Sequence, residues 1–313
     1  MAFLIQHRNS SQQSEQDSSD NHSPTAMCVA VYNILLCVFT VPSNSVLLLI
    51  LCRDPLKCFR NASSFLVISM TLANLVTGLI LEPLTATSSL AEYYNIAIPK
   101  MFLNFHKGIL GIAPNTSFFS LFALSLDAYI AASRPLKYKY LVTKRNSIIC
   151  ILTIWAYSTA FSLAQFTGVT EEHYWKLDLY LNTTTIFILL FTSYTGLIKS
   201  LQENKKRALT LHPVHSAFQE SLGRKLNKER TRRSLKTVLV LIIILTLTIV
   251  PNMISWLLFH NCPSCKEVQG FSVTLIVLRY MAYLKFAVDP IVYFWLMPRY
   301  RLALKMATMC SAE

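Results

Sequence analysis

Four ionisable side chains sit in stretches otherwise too apolar to hold them. Lys285 and Asp289 lie four residues apart in the run Val268 to Leu296. On a helix that spacing puts both on one face, where an ammonium and a carboxylate can pair. Arg279 lies ten residues before Asp289, about 15 Å along a helix axis. Glu82 stands beside Pro83 near the end of another apolar run. An ionisable group at membrane depth is expensive, so each is a candidate for ligand binding or switching. Lys285 and Asp289 are either such a switch or simply a buried pair adding little net stability. Arg279 either pairs with Glu82, receives an anionic ligand, or lays its stem on apolar surface with its head in water. His106 and Lys107 add polar groups on the outer part of a third run.

Cysteine and histidine offer little further chemistry. Cys262-Pro263-Ser264-Cys265 is the one close pair among eight cysteines. Zinc would need a second pair of ligands, and only His260 is near. A redox role would need a βαβ context that the sequence lacks. The pair is expected to close a loop disulfide in an oxidising compartment, the alternative being a bond from one of them to Cys28. The seven histidines mostly fall in tails and loops. No catalytic constellation, metal site or cofactor is expected.

The elements that must position these groups follow from composition. The chain has 313 residues, 53% hydrophobic and only 14% charged, with mean hydropathy +0.42. A soluble fold needs a charged skin of about 25%. A helix of about 20 apolar residues crosses a bilayer core. Seven such runs are legible: Ala26 to Cys52, Ser63 to Thr87, Met101 to Ser133, Ser147 to Gly168, Leu177 to Leu201, Leu235 to His260 and Val268 to Leu296. An amphipathic segment, Arg299 to Met309, follows. The expected fold is an all-α membrane protein, a seven-transmembrane helix bundle with a short amphipathic eighth helix. Its divisions are a disordered extracellular tail over 1–25, a membrane domain over 26–297, and the amphipathic helix with a short cytoplasmic tail over 298–313.

The net charge of +13 suits a membrane surface rather than nucleic acid, because its charges fall in short loops. Of the 29 Lys and Arg, 22 lie on one side of the expected spans, 5 on the other, and Arg279 and Lys285 in the last run. That asymmetry places the N-terminus outside and the C-terminus in the cytoplasm. The first run is expected to serve as its own uncleaved signal. The sequons at Asn9 and Asn21 are then extracellular and open to glycosylation. No internal repeat of a transporter appears, which makes uptake a remote alternative.

Ordered local motifs sharpen the reading. Leu126-Asp127-Ala128-Tyr129 ends the third run, and Arg134-Pro135-Leu136-Lys137-Tyr138 follows. Asn44, Leu72-Ala73-Asn74-Leu75, Trp155, Tyr194, Pro251 and Asp289-Pro290-Ile291-Val292-Tyr293 stand in the right runs and order, with Tyr300-Arg301 opening the eighth helix. Over about residues 26 to 309 the chain resembles the rhodopsin-like (class A) G-protein-coupled receptors. The resemblance implies a plasma-membrane receptor. Its external ligand would bind among the outer ends of the spans, with Glu82, His106, Lys107, Leu110, Arg279 and Tyr283 as candidate contacts. Asn44, Asn74, Tyr194, Pro251, Lys285, Asp289, Pro290 and Tyr293 would form the switch. Asp127, Ala128, Tyr129, Arg134, Pro135, Arg232 and Arg233 would face a heterotrimeric G protein or arrestin. The basic residues near Arg232 would also meet anionic lipid.

Departures from the family pattern matter as much. The arginine that pairs with the aspartate at the end of span three is Ala128 here. The span-two aspartate is Asn74, so by resemblance no sodium ion binds and the Lys285 ammonium takes its place. Leu110 stands where amine receptors carry an aspartate, which argues against a biogenic amine. Tyr283 occupies the place of the opsin lysine, which argues against retinal. The usual disulfide to the second extracellular loop (about Thr167 to Lys176) cannot form, and the span-five proline position holds Ile186. Those absences, with the Cys262 and Cys265 pair, resemble the melanocortin-like branch. The loss of the arginine also admits a non-coupling seven-span decoy, scavenger or partner protein.

Overall fold

The computed structural model describes residues 24–54, 59, 61–134, 137–210, 218–266, 268 and 270–309, with the backbone alone at 201, 204–210, 218–235, 263, 266 and 307–309. Asn9, Asn21 and Pro135 lie outside the described residues, as do the side chains of Arg232 and Arg233. Among the described residues there is no strand. Seven helices are long and apolar enough to cross a bilayer. They are α1 (Pro24–Arg53), α2 (Ala62–Tyr93), α3 (Lys100–Ser133), α4 (Lys144–Ala164), α5 (Glu171 to Thr210), α6 (Phe218–Asn261) and α7 (Phe271–Leu296). The amphipathic α8 (Pro298–Met309) follows directly. A π turn, Thr77–Leu81, interrupts α2 just before Pro83, and a longer one, Asp178–Thr184, interrupts α5.

The bundle is apolar outside and polar within. On α1, Asn33, Thr40 and Asn44 are buried, while Leu35, Val38 and Phe39 are exposed. Lipid accepts the apolar face, and the polar groups must find partners inside. Helix α3 packs on α2, α4, α5 and α6 and forms the centre of the bundle. The core gathers toward the inner half, where Leu121 and Leu124 of α3 meet Leu241 and Leu245 of α6.

Several boundaries differ from the sequence reading. Helix α5 begins at Glu171, six residues before the expected Leu177, because the Thr170 side chain accepts from the His173 N–H and caps it. The loop before it is correspondingly shorter than expected. Helix α4 stops at Ala164 rather than Gly168, a residue that adopts φ 91° and turns the chain. Helix α6 starts at Phe218 rather than Leu235, running through Glu, Lys, Arg and Leu, all strong helix formers. Helix α2 continues to Tyr93 rather than Thr87.

Candidate functional site

The Lys285 and Asp289 charges sit in one hydrogen-bonded ring, outside which Asp289 Oδ1 is buried without a partner among the described residues. Lys285 Nζ lies 2.9 Å from Asp289 Oδ2, and both side chains are almost wholly buried. Lys285 also donates to Ser117 Oγ. Ser117 in turn donates to Asn74 Oδ1 at 2.6 Å, and Asn74 Nδ2 donates back to Asp289 Oδ2 at 3.1 Å. The ring joins α2, α3 and α7. The Lys285 ammonium also sits 5.3 Å from the Phe118 ring and 5.1 Å from that of Phe286. Asn44 stands alongside, donating to the carbonyl oxygens of Phe286 and Thr40, each at 2.9 Å. A buried ammonium and carboxylate each carry a large desolvation cost, and multiple hydrogen bonds offset it. Pro251 and Pro290 lie inside α6 and α7, where each removes a backbone hydrogen bond.

Above this network a cavity of about 140 Å³ opens among α3, α5, α6 and α7. Leu110, Arg279 and Tyr283 are among the residues that line it. The Phe118 and Phe286 rings, stacked 5.9 Å apart, are shared between the cavity wall and the Lys285 network. The Arg279 guanidinium sits 5.8 Å from the Trp175 ring and 5.9 Å from the Trp256 ring. Of the alternatives for Arg279, the pair with Glu82 is not formed. Glu82 is fully buried between α1 and α2, where its Oε1 accepts from Thr40 Oγ1 at 3.1 Å. Its other oxygen has no partner among the described residues. His106 lies outside the cavity lining and meets Thr85 Oγ1 at 3.0 Å. Lys107 also lies outside it and is drawn to Glu171 at the start of α5.

Sequence reasoning missed the other polar groups of the cavity. Asp178, Asn115 and Asn252 line it. Asp178 Oδ1 accepts from Asn182 Nδ2 at 2.8 Å and from Asn115 Nδ2 at 3.3 Å. The four-residue spacing of Asp178 and Asn182 was the available signal, hidden because Asp178 fell at the edge of the expected span.

At the inner end, Asp127 is held without an arginine. Its Oδ2 accepts from Ser63 Oγ at 2.6 Å and its Oδ1 from the Tyr138 hydroxyl at 3.0 Å. Tyr138 belongs to a one-turn helix, Tyr138–Leu141, between α3 and α4. Burial, reinforced by the Asp127 charge, pushes its phenol up to about 12, so it stays a donor. Ala128 is buried in the core, where a methyl fills the space without charge. Tyr129 packs against Gly196 of α5. Tyr194 packs on the same core, and the Tyr293 and Tyr300 rings lie 5.6 Å apart. The Arg134 N–H closes α3 on the Ile130 carbonyl. At the outer end Cys262 and Cys265 form a disulfide, and Cys28 is free.

Seven membrane-length helices around a buried polar network, with an outer cavity and an amphipathic eighth helix, define a seven-helix membrane receptor architecture. The sequence model of the 7 transmembrane receptor (rhodopsin family) matches residues 43–293, and the chain belongs to that family of receptors, which are not enzymes. It is similar to Dopamine receptor 4 of Caenorhabditis elegans, 29% identical over 44% of this chain and 25% of that receptor. It is also similar to the Alpha-1A adrenergic receptor of Cavia porcellus, 26% over 54% of this chain and 35% of that one. The Dopamine D2-like receptor of Drosophila melanogaster is 24% identical over 67% of this chain and 24% of its own length. The matches thus span about a third or less of those relatives. They give the melanocortin-like branch no support. Squid rhodopsin shares the fold, with TM-score 0.72 over 95% of this chain and 88% of its own at 14% identity.

Proposed function

We propose that the chain is a plasma-membrane receptor, N-terminus outside, that carries an extracellular ligand signal to a heterotrimeric G protein by rearranging its helices. One observation carries the reading: Phe118 and Phe286 face the cavity and also lie against the Lys285 ammonium. A ligand that moves these rings acts on the network that ties α2, α3 and α7. It then shifts an equilibrium between two packings by its differential affinity for them. The uncharged Leu110 in the cavity wall disfavours a simple biogenic amine, although the relatives named above include amine receptors. Tyr283 has no amine with which to hold retinal. Lys285 serves as a fixed substitute for a midplane sodium ion. The basic inner residues and α8 would meet anionic lipid, and Asn9 and Asn21 would carry glycans.

Ala128 favours a second reading, a decoy, scavenger or partner protein that binds ligand without coupling. The hydrogen bonds from Ser63 and Tyr138 to Asp127 favour coupling, because they supply an inner clasp that needs no arginine. The test is basal and ligand-driven G-protein activation in cells, comparing wild type with Ala128→Arg at matched surface expression. Wild-type activity above mock cells supports the receptor. A silent wild type beside an active Ala128→Arg supports the decoy.

A further inference from the structure

The cavity contains two opposite charges that do not meet. Arg279 on α7 lies between two indoles, and among the described residues no carboxylate comes within 4.0 Å of it. Asp178 on the π turn of α5 uses Oδ1 for both of its amide hydrogen bonds. Its Oδ2 receives none among the described residues. A third group is also open. Asn252 Oδ1 on α6 is buried in the cavity wall without a partner among the described residues.

A ligand with one charge suits this cavity poorly. An anion at Arg279 would face the Asp178 carboxylate, and a cation at Asp178 would face the guanidinium. Like charges juxtaposed in a site act against binding. A molecule carrying both signs neutralises both. Indole and phenyl walls favour an aromatic body, and the cavity, at about 140 Å³, is near the size that encloses a single aromatic ring. We propose that the cavity binds a small aromatic zwitterion, with its anionic group at Arg279 and its ammonium between Asp178 and Asn252. The inference rests on the cavity being the ligand site of the receptor reading.

The test uses the full chain purified in lipid nanodiscs and three matched probes. L-tryptophan carries both charges, tryptamine only the cation and indole-3-propionate only the anion. Binding is read by calorimetry. Tryptophan should bind about tenfold or more tighter than either analogue, the factor for losing one charged contact worth about 1.4 kcal/mol. With Asp178→Asn, tryptophan should fall to the level of indole-3-propionate. With Arg279→Gln, it should fall to the level of tryptamine. A single-charge probe that binds wild type as tightly as tryptophan, or no binding by any probe, overturns the proposal. The wild-type ranking needs no variant, so a variant that fails to fold leaves the test intact. Zwitterion-selective binding by a chain that activates no G protein would remove the receptor reading and keep this one. Coupling without charge selectivity would do the reverse.

Discussion

Lys285 Nζ lies 2.9 Å from Asp289 Oδ2 one turn along α7, and Asn74 and Ser117 close the ring around them. Removing one partner strands the other charge, at a cost of about 3–5 kcal/mol. Removing both leaves packing and the stranded Asn74 amide to repair. Lys285→Met and Asp289→Leu should each lower thermal stability sharply, and the double variant should recover much of the loss. Unfolding of the four proteins in one detergent measures the coupling. Additive losses would show that the pair is not a unit.

The same fixed ammonium predicts indifference to sodium. Replacing sodium by N-methylglucamine at constant ionic strength should leave wild-type stability and ligand affinity unchanged. Sodium sensitivity should appear in Asn74→Asp combined with Lys285→Met, which exchanges the ammonium for a second carboxylate. A wild type that shifts with sodium would contradict the substitution.

The Asp127 clasp makes a separable prediction. Tyr138→Phe removes one of its two hydrogen bonds and should cost about 1 kcal/mol. The loss should appear first as faster hydrogen exchange in the turn Tyr138–Leu141. The phenol's folded value of about 12 lies above its ordinary 10.0. The folded state therefore holds the proton more tightly, and this contribution is complete below pH 10. It falls as pH rises from about 10 to 12. The difference between wild type and Tyr138→Phe should stay constant from neutral pH to about 9.

Gly111 marks a close approach of α3 to α4. A Cβ there would lie 2.6 Å from Ser162 Oγ and 3.0 Å from the Tyr174 hydroxyl. Gly111→Ala should destabilise by about 1–3 kcal/mol. Ser162→Ala should relieve part of that loss, which a double-variant cycle by thermal unfolding would measure. An unchanged Gly111→Ala would show that the helices separate freely.

The fold was legible because each apolar run must satisfy its own backbone in lipid, and only a helix does so. The Lys285–Asp289 pairing was legible for a local reason, its four-residue spacing. Tertiary pairing was not. Ser63 meets Asp127 across 64 residues, and Lys107 meets Glu171 across another 64. No periodicity encodes such contacts. Arg279 and Glu82 share a depth in the sequence, yet the indoles hold one while the other is enclosed behind α2. Asp178 was hidden because it stands at the edge of the expected span, beside charged residues that composition assigns to a loop.

The π turn Asp178–Thr184 offsets residue numbering along α5. A π turn holds an additional residue, and one residue is about 100° of helix rotation. Counting outward from Tyr194 with ordinary helical spacing therefore assigns each position beyond the turn to the wrong direction. Under that count Asp178 is rotated about a quarter turn from the direction in which it lines the cavity. Residue-by-residue comparison of the outer half of α5 with a chain whose fifth helix has no π turn thus needs a gap placed within the helix.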